Sequence, residues 1–200
     1  MRKWICLAMA VMLLAYGIGI LGDLKQIQEN VIRLHVVGAS DSDEDQAVKL
    51  LVKDAVNAYL REAMGNSSSI RDAREILQGE LSTIQLLAEH VLRTHGFTDC
   101  VEVTLGRETF TRRDYDTFSL PAGVYESLRI KIGSASGRNW WCVVFPTLCL
   151  PAAGEDLRDV TAGAGFSDEL YRTITGEEDY EIRFFLLDLL GQFQNFWLKS

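Results

Sequence analysis

The apolar and polar positions divide this chain into an apolar leader, a mixed central region and an apolar tail. The leader is an uncharged run from Trp4 to Gly22, preceded by Arg2 and Lys3. A basic start followed by an apolar stretch is typical of signal peptides. Its length is also at the lower edge of the ~20 residues that a membrane-spanning helix needs. Residues 1–22 are therefore predicted to be a signal peptide or an N-terminal membrane anchor, and the rest of the chain to be exported.

The first part of the exported region predicts a strand and a pair of helices. Residues 31–37 are rich in β-branched side chains and alternate between the two faces of a strand. Two amphipathic helices follow, starting at Ser42 and at Ser69 and separated by a short polar turn, so an antiparallel helical hairpin is expected. On the strand, one set of residues is predicted to face the core and the other to be solvated: Ile32, Leu34 and Val36 in the first, Arg33 and His35 in the second.

The second part of the exported region predicts further strands. Residues 100–105 read as a short strand and residues 106–120 as a polar loop. Residues 124–132 alternate as a strand with one wet face, and residues 139–145 form its return strand before Pro146. These elements predict an α+β fold with about four strands in a mixed or antiparallel sheet, a helical hairpin on one face and a C-terminal helix. The exported domain is placed at residues 23–150.

The C-terminal region divides into two segments. Residues 151–177 are rich in glycine and alanine and are expected to be flexible, whereas residues 178–200 predict an apolar helix. The broad apolar face of this helix would either pack on the sheet as core or contact a partner or a membrane surface. That face comprises Ile182, Phe185, Leu186, Leu189, Phe193, Phe196 and Trp197.

Charge and cysteine content narrow the function classes. The net charge of −8 argues against a nucleic-acid partner, which requires a basic patch. In an exported chain, Cys142 and Cys149 could form a local disulfide, which would contribute roughly 2–3 kcal/mol in the chain-entropy model. Two buried thiols are the alternative, and the spacing leaves both open.

Reactive constellations are weak in this sequence. A nucleophile pair of Cys142 with His35 would define an extracytoplasmic hydrolase, but the apolar neighbours of Cys142 disfavour a thiolate. The Asp41, Asp43 and Asp45 run lacks the glycine and glutamate of a calcium-binding loop, and Asp45 fits a helix cap better. No cofactor, metal, catalytic residue or small-molecule substrate is therefore expected.

Two adjacent tryptophans mark the return strand. Neighbouring strand residues point to opposite faces, so one face cannot bury both Trp140 and Trp141. The face with Trp141, Val143 and Phe145 is the more apolar and is expected to be the core face. Trp140 would then point outward to meet a partner. The alternative is a strand covered on both sides, by a helix layer and by the C-terminal helix, with both tryptophans buried.

Two blocks of the sequence resemble one known family. The first runs from Ile32 through Ser40-Asp41-Ser42 to Lys49, and the second from Pro121 through Asn139-Trp140-Trp141-Cys142 to Cys149. Their order and spacing resemble stage II sporulation protein R of endospore-forming bacteria, over about residues 31–150. Gly38-Ala39, Asp43 and Thr147 depart from the expected pattern.

The resemblance implies a signalling protein rather than an enzyme. Such proteins are made in the forespore and exported into the space between the forespore and mother-cell membranes. There they activate a membrane-embedded aspartic peptidase, which removes the pro-sequence of sigma factor E. On this interpretation the expected partner-binding residues are Ser40, Asp41, Asn139, Trp140 and Trp141, with one tryptophan contacting the peptidase. The alternatives are a thiol- or acid-dependent hydrolase and a membrane-attached structural protein.

Overall fold

The computed structural model describes residues 2–65, 67, 69–146, 157–177 and 180–199. The chain forms two compact units. The first comprises Met1–Glu29, Thr109–Val124 and Phe166–Ser200, and the second comprises Asn30–Glu108 and Tyr125–Gly165.

A four-stranded mixed sheet and a helical hairpin form the second unit. The strands are β1 (Ile32–Val37), β2 (Val101–Phe110), β5 (Gly123–Ile132) and β6 (Asn139–Phe145), in the spatial order β2-β5-β1-β6. Strand β1 is parallel to β5 and antiparallel to β6. The predicted α+β class and the mixed four-stranded sheet are confirmed.

Helices α2 (Asp43–Ala63) and α3 (Ile70–Thr94) cover one face of this sheet. Each begins where the sequence predicts, because the Ser42 and Ser69 hydroxyls accept hydrogen bonds from backbone N–H groups three residues later. The helices and strands enclose one apolar cluster of fully or almost fully buried side chains. Its members include Ile32, Leu34, Val36, Val52, Val56, Leu77, Ile84, Leu128 and Ile130.

The expected orientation of the tryptophan strand is wrong. In the antiparallel register, Cys142 lies opposite Leu34 and Trp140 opposite Val36, so these β6 residues face the helices. Trp141 lies opposite His35, on the other face of the sheet. Both faces of β6 are apolar, so the pairing with β1 determines which face packs against the helices. Phe145 still reaches the core, because the register shifts between Ile32 and Arg33.

Further expectations for the sheet need correction. Strand β6 is not the return strand of β5, because β1 lies between them. Tyr125 and Ser127, on the β5 face expected to be wet, are buried. Strand β2 extends to Phe110, through part of the segment predicted to be a polar loop. Arg33 and His35 lie on the face opposite the helices, as expected, but they are buried rather than solvated. The guanidinium carbon of Arg33 lies 5.1 Å from the ring centroid of Tyr125, which provides a cation–π contact for the buried charge.

The first unit contains the apolar leader and the C-terminal helix. Helix α1 (Arg2–Asn30) contains the predicted leader, and it alone among the described helices is long and apolar enough to cross a membrane. A two-stranded ribbon, β3 (Arg113–Asp114) with β4 (Ser119–Leu120), and helices α5 (Asp168–Thr175) and α6 (Glu181–Lys199) complete the unit.

The segment 151–177, expected to be flexible, contains two helices. Helix α4 (Leu157–Gly163) belongs to the second unit and α5 to the first. The Ser167 hydroxyl caps α5 by accepting a hydrogen bond from the Leu170 N–H, and Leu170 and Ile174 are buried. The cap and the i, i+4 spacing specify a helix despite the glycine content.

Helix α6 confirms the predicted C-terminal helix but buries a different face. Phe184, Leu187 and Asp188 are buried. The Asp188 carboxylate accepts a hydrogen bond from the Ala122 N–H at 2.7 Å. The expectation that the broad apolar face packs as core is wrong, because six of its members are exposed: Ile182, Phe185, Leu189, Phe193, Phe196 and Trp197.

Candidate interaction site

Two loops interlock at the end of the sheet where β1 finishes and β6 begins. We call residues 38–42 and 133–138 together the clasp. The Ala39 carbonyl accepts hydrogen bonds from the Ser134 and Ser136 hydroxyls at 2.6 and 2.8 Å, and the Gly38 carbonyl accepts one from the Gly137 N–H at 3.0 Å. These bonds satisfy polar backbone groups of both loops and fix their relative position.

Gly137 is required by the close approach of the two loops. A Cβ atom at this position would lie 2.1 Å from the Ser40 carbonyl oxygen and 3.0 Å from the Gln46 side-chain nitrogen. The obstacle is backbone, which cannot move away as a flexible side chain could. The clasp can therefore close as observed only with glycine here.

The inner side of the clasp is held by polar side chains of α2. The Ser40 hydroxyl donates to the Asp45 carboxylate at 2.5 Å, and the Gln46 amide donates to the Ser40 carbonyl at 2.8 Å. The Lys49 ammonium donates to the Gln46 side-chain oxygen at 2.6 Å and to the Arg138 carbonyl at 2.9 Å. Ser40, predicted to contact a partner, thus makes internal bonds that order its loop.

Lys49 is an unusual residue to find inside this arrangement. It is 4% exposed, although lysine is rarely buried without a partner. Burial lowers the pKa of Lys49, the charge of Arg138 lowers it further, and Asp41 partly offsets both effects. Its hydrogen bonds to two oxygen acceptors offset the cost of desolvating the ammonium group.

The outer side of the clasp presents polar side chains to solvent. We call Asp41, Arg138 and Asn139 the rim. The Asp41 carboxylate accepts a hydrogen bond from the Arg138 N–H at 2.6 Å, and the side chains of Asp41 and Arg138 are 65% and 66% exposed. The Asp41 carboxylate also pairs with the Arg138 guanidinium at 3.7 Å, so the rim is ordered by internal contacts while both of these side chains stay largely exposed.

The two tryptophans lie beside the rim on opposite faces of β6. Trp140 packs against the apolar core, and the Lys53 ammonium lies 5.0 Å from its ring centroid. Trp141 stacks on His35, with ring centroids 3.8 Å apart and an interplanar angle of 22°. Both indoles are half-buried.

His35 is the centre of a polar cluster on the Trp141 face. Its Nε2 atom lies 3.0 Å from the Asn139 side-chain oxygen, and its Nδ1 atom lies 3.3 Å from the Glu108 carboxylate. Arg129 also pairs with Glu108, at 3.1 Å. Burial raises the pKa of Glu108, but the hydrogen bond from His35 and the charges of His35 and Arg129 outweigh it, so this pKa lies below its usual value. Asn139 therefore links the rim to a charged network inside the sheet face.

The two residues considered as a nucleophile pair, Cys142 and His35, do not lie together in the structure. Cys142 faces the helix-covered core, whereas His35 faces the opposite side of the sheet. The predicted disulfide stays a prediction, because Cys149 lies outside the described residues. Asp45 accepts the Ser40 hydrogen bond and lies in the first turn of α2. Within the described ranges, no group of three or more His, Cys, Asp or Glu residues is placed to hold a metal ion.

The structure brings together all five residues predicted to bind a partner. Ser40 and Asp41 follow β1, and Asn139, Trp140 and Trp141 begin β6, so the antiparallel pairing places them at one end of the sheet. The sequence did not predict that Gln46, Lys49 and Glu108 belong to the site. Gln46 and Lys49 are one helical turn apart, and a polar pair at this spacing on the inner face of α2 was the available signal.

Fold and site together define a class of protein. It is an α+β domain with a mixed sheet and a helical hairpin, preceded by an apolar helix of membrane-spanning length, and it presents an ordered polar rim beside two tryptophans.

Comparison with known proteins identifies the family. The model of the stage II sporulation protein R family matches residues 28–155, so the chain belongs to this family. It is similar to the stage II sporulation protein R of Bacillus subtilis (strain 168), with 28% identity over 183 residues, which cover 82% of each chain. No solved structure matches the chain.

Proposed function

We propose that this protein is an exported sporulation signal from the forespore. It activates a membrane-embedded aspartic peptidase of the mother cell, which then processes pro-sigma-E. The protein acts as a ligand of the peptidase and performs no chemistry itself. The observation that carries this proposal is family membership over residues 28–155, a range that contains the whole clasp and rim.

The apolar helix α1 supports this proposal. A signal peptide or membrane anchor at this position directs the following domain out of the cytoplasm. Helix α1 has the required length and composition, and its first part is almost wholly exposed. A domain exported into the space between the two membranes can contact the outer part of a peptidase embedded in the mother-cell membrane.

The rim and Trp141 are the surface that we assign to the peptidase. The backbone of the rim is fixed by the clasp, so little conformational freedom would be lost when a partner binds. Arginine and tryptophan are enriched among residues that dominate binding energy. Arg138 is exposed, and Trp141 lies on the sheet face that the helical hairpin does not cover.

Co-expression tests the function. The full chain is produced with the peptidase and pro-sigma-E, and loss of the pro-sequence is followed by immunoblotting. We expect cleavage only when the chain is present. Absence of cleavage with a folded, exported chain would overturn the proposed function.

The variant Arg138→Ala tests the assigned surface. It removes the exposed guanidinium but keeps the backbone groups that bond to Asp41 and Lys49. We expect cleavage to fall several-fold, because a contact side chain is lost while the clasp stays intact. The matched control is Arg93→Ala, an exposed arginine on α3 that pairs with Glu89. Equal cleavage with both variants would exclude the rim as the contact surface. It would not contradict the proposed activation of the peptidase.

The two tryptophans offer a second test of the surface. We expect Trp140→Ala to lower the free energy of unfolding by about 2 kcal/mol, because this indole packs on the core. Trp141→Ala should lower the free energy of unfolding less than Trp140→Ala does, and should still reduce cleavage. If both variants unfold the domain equally, Trp141 has no separate contact role.

A further inference from the structure

Helix α6 carries a continuous apolar surface that the fold leaves uncovered. We call Ile182, Phe185, Leu189, Phe193, Phe196 and Trp197 the aromatic face. Phe193 and Trp197 are 62% and 64% exposed, and their rings contact one another edge to face. Single exposed apolar residues are ordinary, but a contiguous stripe along a whole helix marks a contact surface. The family match ends before this helix.

The opposite face of α6 is firmly attached within its own unit. The Asn195 amide donates to the Phe110 carbonyl at 2.7 Å, and the Asp188 carboxylate accepts from the Ala122 N–H. A Cβ atom at Gly191 would lie 1.7 Å from the Ala122 oxygen, so the helix backbone lies directly against this segment. The helix therefore cannot rotate to bury its aromatic face without breaking these contacts.

Two contacts relate α6 to the helix of membrane-spanning length. Arg183 forms an ion pair with Asp23, directly after the apolar run ends, and Gln28 donates to Gln194 at 2.9 Å. These contacts are roughly one and a half turns apart on α1 but about three turns apart on α6. The difference of about 9 Å between the two spacings is spanned by the long side chains or by an inclination of the helix axes.

These two contacts set the level of α6 relative to the end of the span. From Asp23 to Gln28, α1 rises by about 7 Å. The polar layer on each side of a bilayer core is of similar thickness, and amphipathic helices sink about 5–10 Å into this boundary. If α1 enters a bilayer up to Gly22, the contacts that hold α6 lie within the interfacial layer.

We propose that the aromatic face of α6 binds the surface of the lipid bilayer that α1 enters. Phenylalanine and tryptophan are the residues that interfacial helices place at the boundary of headgroups and acyl chains. The face contains no charged side chain, and Arg183 is already paired with Asp23. Because the whole chain carries a net charge of −8, apolar burial drives this contact and attraction to anionic lipids does not.

Photo-crosslinking in vesicles tests the proposal on the full chain. Benzoylphenylalanine is placed at position 193 of the protein, which is reconstituted into phosphatidylcholine vesicles and irradiated. Adducts are identified by mass spectrometry. The matched control carries the same group at Leu86, which is 61% exposed on α3 of the other unit. The same group at Leu13, inside the apolar run of α1, reports insertion of that helix.

We expect lipid adducts at positions 193 and 13, each at several-fold higher yield than at position 86. Addition of phosphatidylglycerol should leave the yield at position 193 unchanged. Lipid adducts at position 13 alone would overturn the proposal, and so would crosslinks from position 193 to a second copy of the chain. No peptidase is present, so the outcome is independent of the proposed signalling function.

Discussion

The two faces of the four-stranded sheet differ in how they are stabilised. On the helix side, β1 contributes Ile32, Leu34 and Val36 to a continuous apolar cluster. On the other side, the same strand contributes Arg33 and His35, which are buried among aromatic rings and charges. One face is held by non-directional apolar packing, and the other by contacts that need specific partners at specific distances.

This difference indicates what each face is for. An apolar core tolerates exchange of similar hydrophobic residues, so the helix side specifies the fold through pattern and volume. The polar cluster around His35 tolerates far fewer substitutions, because loss of one partner leaves a buried polar group without its hydrogen bond. Buried polar groups stabilise a fold less readily than apolar packing does. The polar face is connected through Asn139 to the rim, so we infer that it serves the rim as well as stability.

The sharpest test compares adjacent residues of β1. We expect Leu34→Ala to lower the free energy of unfolding by about 2–5 kcal/mol, because it leaves a cavity in the apolar cluster. His35→Ala should cost about 1–3 kcal/mol, through lost hydrogen bonds and stacking. Urea denaturation followed by tryptophan fluorescence measures both.

The control for this pair is Leu86→Ala, an exposed leucine on α3. Its effect should stay within about 0.5 kcal/mol. A larger loss for His35→Ala than for Leu34→Ala would contradict the difference described between the two faces.

The clasp offers an intermediate effect. Gly137→Ala should lower the free energy of unfolding by about 1–3 kcal/mol, because the new methyl group would collide with the Ser40 carbonyl. By contrast, Gly79→Ala lies in helix α3 with open space around it and should raise stability by about 0.5–1 kcal/mol. If Gly137→Ala left the free energy of unfolding unchanged, the two loops of the clasp could separate without loss of stability.

The smallest expected effect depends on pH. The pKa of Glu108 is lowered in the folded state, so its ionised form adds stability that is fully present above the unfolded value. This contribution disappears as the pH falls through the lowered, folded-state pKa. We therefore expect the free energy of unfolding of the wild type to exceed that of Glu108→Gln by about 1 kcal/mol at pH 5, and this gap to narrow as the pH falls below the unfolded-state pKa. A gap that widens with acid in denaturation curves would contradict the assignment.

Local signals made most of the fold predictable. The serine caps at Ser42 and Ser69 act within a few residues, and the helices begin there. The alternation of β1 and β5 identified the core-facing residues, but the opposite face of each strand, expected to be wet, is buried or partly buried. The end of β2 was missed, because charged Arg107 and Glu108 read as loop. Glu108 faces Arg129 and His35 across the sheet, and this partnership compensates its charge.

The sequence predicted which residues belong to the site, but not which way the two tryptophans point. Ser40, Asp41 and Asn139 to Trp141 could be grouped, because they stand at the ends of adjacent strands. Which tryptophan faces the core could not be decided, since both faces of β6 are apolar and the pairing partner lies about a hundred residues earlier. The His35–Glu108 contact likewise joins residues 73 positions apart.

The central position of β1 has a consequence for the timing of folding. This strand leaves the ribosome early, yet its two neighbours in the sheet are the late strands β5 and β6. Closing such distant pairings is slow compared with forming the α2–α3 hairpin. Until residue 132 has emerged, β1 has neither strand partner, and the second half of the clasp and β6 follow only at residues 133–145. A chain interrupted before this point therefore cannot present the rim, so a signal read from this surface would report only molecules whose sheet is complete.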